Sequence, residues 1–185
     1  MVNLNITPII NGRLYAIHWD EAGEDCFSQM IEAYSDPEYL FRFFSERKEQ
    51  LTTFFRIESI DDAVSYTIDE IIEMSDEIIS CAETDNDSLT KLDELFEPLH
   101  AVSTKINFHQ YKAKGHHPAS WIRLYAIRLE DAYIITGSGL KIVKAMQEDV
   151  LLKKEKTKLD HVDEFIKLHS IYNADGIEEY KNTSD

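Results

Sequence analysis

The sequence predicts an α+β fold, in which an N-terminal strand and several helices pack on a small antiparallel sheet. Three observations lead to this prediction. A run of strand-forming residues near the start precedes a long helix-like region at 20–100, a hairpin pattern lies within 105–145, and an amphipathic segment at about 155–169 predicts a C-terminal helix. The chain of 185 residues, 43% of them hydrophobic, is long enough for one domain with a real core.

We therefore predict a single domain over residues 1–172, followed by a frayed acidic tail over 173–185. The first predicted strand is 13–19, RLYAIHW, which is rich in strand formers and follows Asn11-Gly12. Apolar residues at helical spacing predict a helix near 26–34. Asp36-Pro37 is typical of an N-cap followed by proline at the first helical position, which predicts a second helix to about Leu51.

The clearest predicted helix runs from about 61 to 82, where isoleucines form one face and carboxylates crowd the other. A loop at 84–88 then precedes a short predicted helix whose apolar positions extend to Leu99. Gly115 and Pro118 favour an exposed loop over 112–120. Because carboxylates crowd its other face, the exposed side of the long helix at 61–82 is expected to be strongly negative.

The hairpin is predicted from strands at 122–129 and 133–136 with a turn at Glu130-Asp131. Alternation places odd positions, including Arg123 and Tyr125, on one face and even positions, including Arg128, on the other. The sequence Gly137-Ser138-Gly139 predicts a kink or bulge in the second strand. The same five letters, RLYAI, occur at 13–17 and 123–127, which suits two strands of one sheet without indicating a duplication.

Charge is distributed unevenly along this acidic chain, whose formal net charge is −16. Residues 1–97 carry −17 and residues 98–158 carry +6. No acid occurs between Pro98 and Leu129, although this stretch holds several lysines, arginines and histidines. A cationic cluster is a means of binding phosphate. Two interpretations stay open at this point: the cations meet in space, or they are dispersed and solvated.

Other kinds of site are not favoured by the sequence. His109, His116 and His117 do not predict a metal site, because adjacent histidines on extended backbone point apart and no carboxylate or cysteine is near in sequence. The glycine pair at 137 and 139 lacks the spacing of a nucleotide-binding loop. We expect no metal, no cofactor and reduced cysteines. The chain has neither a signal-peptide pattern nor a run of about 18 apolar residues, so we expect a cytoplasmic protein without membrane contact.

The order of these elements over about 13–169 resembles the RelE/ParE-like toxin superfamily, most closely its phage-derived HigB-like branch. The local core of the resemblance is 122–147, IRLYAIRLEDAYIITGSGLKIVKAMQ. The patterns W-I-R-L-Y-A-I-R and I-I-T-G-x-x-x-K are also similar to those of uncharacterised proteins of bacterial accessory genomes. The resemblance implies helices against an antiparallel sheet that ends in an arginine-bearing strand, a hairpin and a lysine-rich segment.

The resemblance also implies a function: one member of a toxin–antitoxin pair that cleaves mRNA, often on the ribosome, with an antitoxin protein as partner. In such cleavage the 2′-hydroxyl attacks the adjacent phosphate, which calls for a proton acceptor, a proton donor and cations, but no metal. Within the matching motif, Arg123 corresponds to the strand arginine and Lys141 and Lys144 to the terminal lysines. Tyr125 and His116 are further catalytic candidates.

Further cations are expected to contact RNA, namely Lys112, Lys114 and Arg128. The alternative is a non-enzymatic protein-interaction or regulatory module on the same fold, with the acidic helices as its binding surface. Convergence of Arg123 with Lys141 and Lys144 in an exposed site would favour the ribonuclease. Burial of Arg123 in an ion pair with a carboxylate would favour the module.

Overall fold

The computed structural model describes residues 4–19, 23–85, 89–99, 109–115, 120–143 and 148–184. These residues form six strands, which are β1 (Asn5–Ile10), β2 (Leu14–His18), β3 (Phe96–Pro98), β4 (His109–Lys114), β5 (Ile122–Arg128) and β6 (Tyr133–Leu140). They also form seven helices, which are α1 (Cys26–Ser35), α2 (Pro37–Glu46), α3 (Lys48–Phe55), α4 (Ile60–Thr84), α5 (Thr90–Leu95), α6 (Val150–Leu168) and α7 (Ala174–Ser184).

The six strands form one mixed sheet in the order β1-β2-β6-β5-β4-β3. Every neighbouring pair is antiparallel except β2 and β6, which are parallel. The predicted α+β class, with its hairpin at the centre of the sheet and its C-terminal helix, is confirmed. The hairpin register shifts between Tyr125 and Ala126, which face Gly137 and Ile135, so that Thr136 is the extra residue of a bulge.

Helices cover both faces of the sheet. On the first face, which we call the α4 face, Tyr34 of α1 meets Ser138 of β6, with 3.2 Å between the two hydroxyl oxygens. On the second, which we call the α6 face, Gly137 and Gly139 lie directly beneath α6. Because side chains alternate along a strand, the contacts of these neighbouring β6 residues assign α1 and α6 to opposite faces.

The core on the α4 face is organised around Trp121, whose side chain is 1% exposed. Its ring packs edge-on against Phe44 and Phe55 and also contacts Tyr66, while its indole N–H donates to Thr67 Oγ1 at 3.0 Å. The apolar ring of the indole is thus buried while its polar N–H keeps a hydrogen-bond partner. This cluster attaches α2, α3 and α4 to the start of β5.

The starts of α2 and α4 follow the capping rules. Asp36 is the N-cap of α2, where its carboxylate accepts from the Glu38 N–H, with Pro37 at the first helical position as predicted. The predicted helix to Leu51 is instead divided at Arg47, whose backbone leaves the helical region. The long helix predicted over 61–82 is confirmed as α4, which Ser59 caps.

Several elements differ from the sequence-based prediction. The predicted loop at 112–120 begins as strand β4, and the short helix predicted to reach Leu99 ends at Leu95, where β3 follows. Strand β1 was not predicted because it contains Pro8, which a sheet tolerates at an edge such as this one. The predicted frayed tail forms α7 instead, in which Ile177 is fully buried.

Candidate nucleic-acid interface

Four cationic side chains meet on the α6 face of the sheet. Lys114 lies directly opposite Arg123, Lys112 lies opposite Tyr125, and Arg123 lies opposite Gly139, two residues before Lys141. Residues opposite one another on paired strands point to the same face, with Cβ atoms about 4.5–5.5 Å apart. We call Lys112, Lys114, Arg123 and Lys141 the cationic patch. All four side chains are partly or largely exposed.

The charges of the patch act on one another. Burial lowers the pKa of Lys141, and the positive charges of Arg123, Lys112 and Lys114 lower it further. Burial likewise lowers the pKa of Lys112, which Glu97 opposes, while Lys114 and Arg123 add to the lowering. Clustered cations disfavour each other's charged forms. Lysines with lowered pKa values give up a proton more readily than isolated ones, and an anionic ligand would relieve their repulsion.

The carboxylate of Glu97 in β3 borders the patch. It lies 2.7 Å from Lys114 Nζ and 3.8 Å from Lys112 Nζ, and its own pKa is lowered chiefly by the hydrogen bond from Lys114. The contact follows from the register that places Glu97 opposite Lys112. Sequence reasoning missed this residue, because β3 is only three residues long and its pairing with β4 is not visible in the local pattern.

Arg123 is held by the backbone and not by a carboxylate. Its Nη1 donates to the carbonyl oxygens of Ser120 and Ile122, each at 2.8 Å, and burial lowers the pKa of the guanidinium. Among the described residues, no acid lies within ion-pair distance of it and its Nε and Nη2 make no hydrogen bond. The hydrogen bonds of Nη1 therefore orient the arginine, while the N–H groups of Nε and Nη2 remain able to donate to a ligand.

Tyr125 and Arg128 are both predicted to belong to the site, but neither is an exposed member of the cationic patch. Tyr125 is only 2% exposed, and burial raises the pKa of its hydroxyl to about 12, so its proton stays in place near neutral pH. Arg128 lies on the α4 face, where its Nε and Nη2 donate to the two carboxylate oxygens of Asp93 at 2.7 and 2.8 Å. Tyr125 is thus a buried neighbour of Lys112, and Arg128 belongs to an ion pair with Asp93.

The remaining predicted site residues, His116 and Lys144, lie outside the described residues. The structure thus brings together Arg123, Lys141, Lys112 and Lys114. Within the described parts of the chain, no three His, Cys, Asp or Glu side chains are arranged to hold a metal ion. None of the helices in those parts is long and apolar enough to cross a membrane.

A row of exposed acidic residues lies on the other side of the sheet. Helix α4 packs on the α4 face and exposes the carboxylates of Asp61, Asp62, Asp69, Glu73 and Asp76. Ile72, which is 49% exposed, lies among them. The sheet therefore lies between these carboxylates and the cationic patch. We call the exposed side of α4 the acidic surface.

The chain matches no protein-family model, and neither a curated protein nor a solved structure is significantly similar to it.

Proposed function

We propose that this protein is a divergent toxin-like member of a toxin–antitoxin pair, which binds mRNA at the cationic patch and cleaves it as a metal-independent endoribonuclease. The observation that carries the proposal is the convergence of Lys112, Lys114, Arg123 and Lys141 on one sheet face. Phosphate binding depends on such cations. The acidic surface on the opposite side would keep RNA away from the rest of the molecule.

The proposed chemistry assigns a role to each part of the patch. The 2′-oxygen of RNA attacks the adjacent phosphorus and the bond to the 5′-oxygen breaks, which leaves a 2′,3′-cyclic phosphate and a 5′-hydroxyl. Lys141, with its lowered pKa, accepts the 2′-hydroxyl proton in its neutral form, and Lys112 donates a proton to the leaving oxygen. Arg123 stabilises the phosphorane with its Nε and Nη2 donors. Phosphate contact by Lys144 and proton transfer by His116 stay predictions.

RNA binding is tested by fluorescence anisotropy with a 5′-labelled single-stranded RNA in EDTA at low salt. Lys141→Met is expected to weaken binding about tenfold, the equivalent of about 1.4 kcal/mol, and to lower the salt slope by about one. Lys48→Met is the matched control, since Lys48 is an exposed lysine of α3 that does not belong to the patch. If the two substitutions weaken RNA binding equally, or if neither weakens it, the patch is not the binding site.

Cleavage is tested by inducing the protein in bacteria and mapping mRNA ends. We expect growth arrest and new ends bearing cyclic phosphate, both relieved by Arg123→Ala or Lys141→Ala. In vitro, a single 2′-deoxy substitution at the cleaved position is expected to block the reaction, because the nucleophile is then absent. Harmless induction, or cleavage that persists in both variants, would contradict the ribonuclease.

The exposed Ile72 favours a second candidate, a non-enzymatic interaction module. An exposed apolar side chain surrounded by Asp69, Glu73 and Asp76 suits a basic partner that contributes its own apolar residue. This candidate predicts that expression is harmless and that Ile72→Lys abolishes partner capture, while substitutions in the patch leave capture unchanged. Capture that depends on Lys141 and not on Ile72 would contradict it.

A further inference from the structure

The sheet contains a topological switch point between its two parallel strands. Strands β2 and β6 are parallel neighbours, yet the chain after β2 enters α1 on the α4 face and the chain after β6 enters α6 on the α6 face. In α/β sheets, a ligand-binding crevice lies beyond the carboxyl ends of adjacent parallel strands whose connections leave to opposite sides. The fold therefore indicates where to look for a second site.

A crevice is present at that position. Strand β2 pairs with β6 only over Tyr133 to Ile135, so on the β2 side no strand of the described residues lies beside the second half of β6. Two cavities, of about 150 and about 200 Å³, occupy the space, and Tyr34, Tyr39, Ser138 and Glu155 line both. A single water needs roughly 10–15 Å³ by the same measure. The two cavities, which we call the switch-point crevice, are thus large enough for a small organic molecule.

The Glu155 carboxylate in this crevice has an oxygen without a hydrogen-bond donor among the described residues. Glu155 Oε1 accepts from Lys158 Nζ at 2.8 Å, whereas the buried Oε2 has no hydrogen-bond partner within the described parts of the chain. A side chain at position 137 would place its Cβ 1.9 Å from Oε2, so Gly137 provides the space for this oxygen. A buried acceptor without a donor is unfavourable. The terminal torsion of glutamate is soft, so Oε2 can turn toward a donor in the crevice.

The walls of the crevice complement that carboxylate. Tyr34 stacks with Tyr39, and Tyr39 with Phe43, each at 6.4 Å between ring centroids. Tyr39 is partly exposed, which gives access from solvent. The Tyr34 and Ser138 hydroxyls share one hydrogen bond, which leaves a second hydroxyl hydrogen and lone pairs for a ligand. Aromatic faces and a carboxylate together attract organic cations.

We propose that the switch-point crevice binds a small organic cation, an alkylammonium or alkylguanidinium, whose charged group donates to Glu155 and whose carbon chain contacts Tyr39 and Phe43. The site differs from the cationic patch because Glu155 Oε2 offers it a buried acceptor. Lys154 and Lys158 also line the cavities, and Lys158 is paired with the other oxygen, Oε1, so the ligand is expected to bind at Oε2. It does not depend on the proposed ribonuclease function.

The test is isothermal titration of the full chain with butylammonium chloride and with butylguanidinium chloride, at constant total ionic strength. Saturable binding of at least one cation is expected, with no binding of 1-butanol, the neutral isostere. Glu155→Gln keeps the shape of the side chain and is expected to weaken cation binding at least tenfold. Glu164→Gln, an exposed position on the same helix, is the control and should bind as the parent protein does.

A second variant, Tyr39→Leu, removes an aromatic wall at a partly exposed position and is expected to weaken binding several-fold while circular dichroism stays unchanged. The proposal is overturned if neither cation binds saturably, if 1-butanol binds equally well, or if Glu155→Gln and Glu164→Gln behave alike. Tighter binding of N-acetyl-lysine amide than of butylammonium would overturn the assignment to a free small molecule and indicate a peptide side chain instead.

Discussion

At the scale of single residues, the Asp93 carboxylate binds Arg128, which the sequence predicts to contact RNA. Its two oxygens accept from Arg128, and Oδ1 also accepts from the Tyr133 hydroxyl at 2.6 Å. Burial alone would raise the pKa of Asp93, but the hydrogen bonds from Arg128 and Tyr133 outweigh it and hold the pKa below its ordinary value of 3.8. The group therefore stabilises the fold in its charged form.

We expect Asp93→Asn to lower the free energy of unfolding at pH 7 by about 1 kcal/mol, since hydrogen bonds to charged groups contribute about 1.5–3 kcal/mol and this pair is partly exposed to solvent. Because the folded pKa is depressed, the stabilisation is complete above the unfolded pKa, near 4, and is lost as the pH falls through the folded value. Urea unfolding at pH 7, 5 and 3 should show a difference between variant and parent that shrinks only at the lowest pH.

Glu94→Gln, at the exposed neighbouring position, serves as the control for this measurement and should have a much smaller effect at neutral pH. A difference between Asp93→Asn and the parent protein that persists undiminished at pH 3 would contradict the ionic origin of the stabilisation.

At the scale of elements, the packing of α6 on β6 depends on two glycines in the strand. A Cβ at position 137 would meet the Glu155 carboxylate, and one at position 139 would lie 2.4 Å from Leu152 Cδ2. The sequence predicts a kink or bulge at 137–139; the structure has a bulge at the preceding residue, Thr136, and a close approach of the helix over 137 and 139. The glycines are needed for what packs on them.

Gly137→Ala is therefore expected to lower the free energy of unfolding by about 1 kcal/mol, the low end of the usual cost of overpacking, because the displaced atom is the end of a flexible side chain. In a Glu155→Ala background the same substitution should cost little, because the carboxylate that the methyl group displaces is gone. Denaturant unfolding of the four proteins of this double-mutant cycle measures the coupling. Additive effects would mean that the methyl group meets some other obstacle.

At the scale of the whole molecule, the sheet separates two surfaces of opposite charge. The acidic surface of α4 lies on one side and the cationic patch on the other, within a chain of net charge −16. Charges separated by more than a Debye length, about 8 Å at physiological ionic strength, are largely screened from one another. Long-range repulsion should thus slow the approach of RNA at low salt without preventing contact at the patch.

We expect the triple variant Asp69→Asn, Glu73→Gln, Asp76→Asn to increase the association rate of RNA severalfold at low salt, because less negative charge opposes the approach. The difference should vanish near 1 M salt, where the Debye length is about 3 Å. Stopped-flow anisotropy at a series of salt concentrations measures it. A slower association in the triple variant would mean that the acidic surface is itself part of the RNA complex.

The sequence by itself determined the elements whose signals are local. The Asp36-Pro37 cap, the period of α4 and the alternation in the hairpin each depend on neighbouring residues, and each is present in the structure. The same local alternation placed Arg123 and Arg128 on opposite faces correctly. The alternation did not predict that Arg128 pairs with a carboxylate and Arg123, among the described residues, does not, because a strand pattern does not specify what packs on either face.

Only the tertiary structure decided the composition of the candidate sites. Glu97 joins the patch through the pairing of β3 with β4, Arg128 is engaged by Asp93 of α5, and Glu155 reaches Gly137 across the packing of α6 on β6. Each of these contacts joins residues on elements that are separated along the chain. The local sequence does not predict these contacts, because they depend on long-range packing and strand register, in which the position of a side chain depends on all the elements around it.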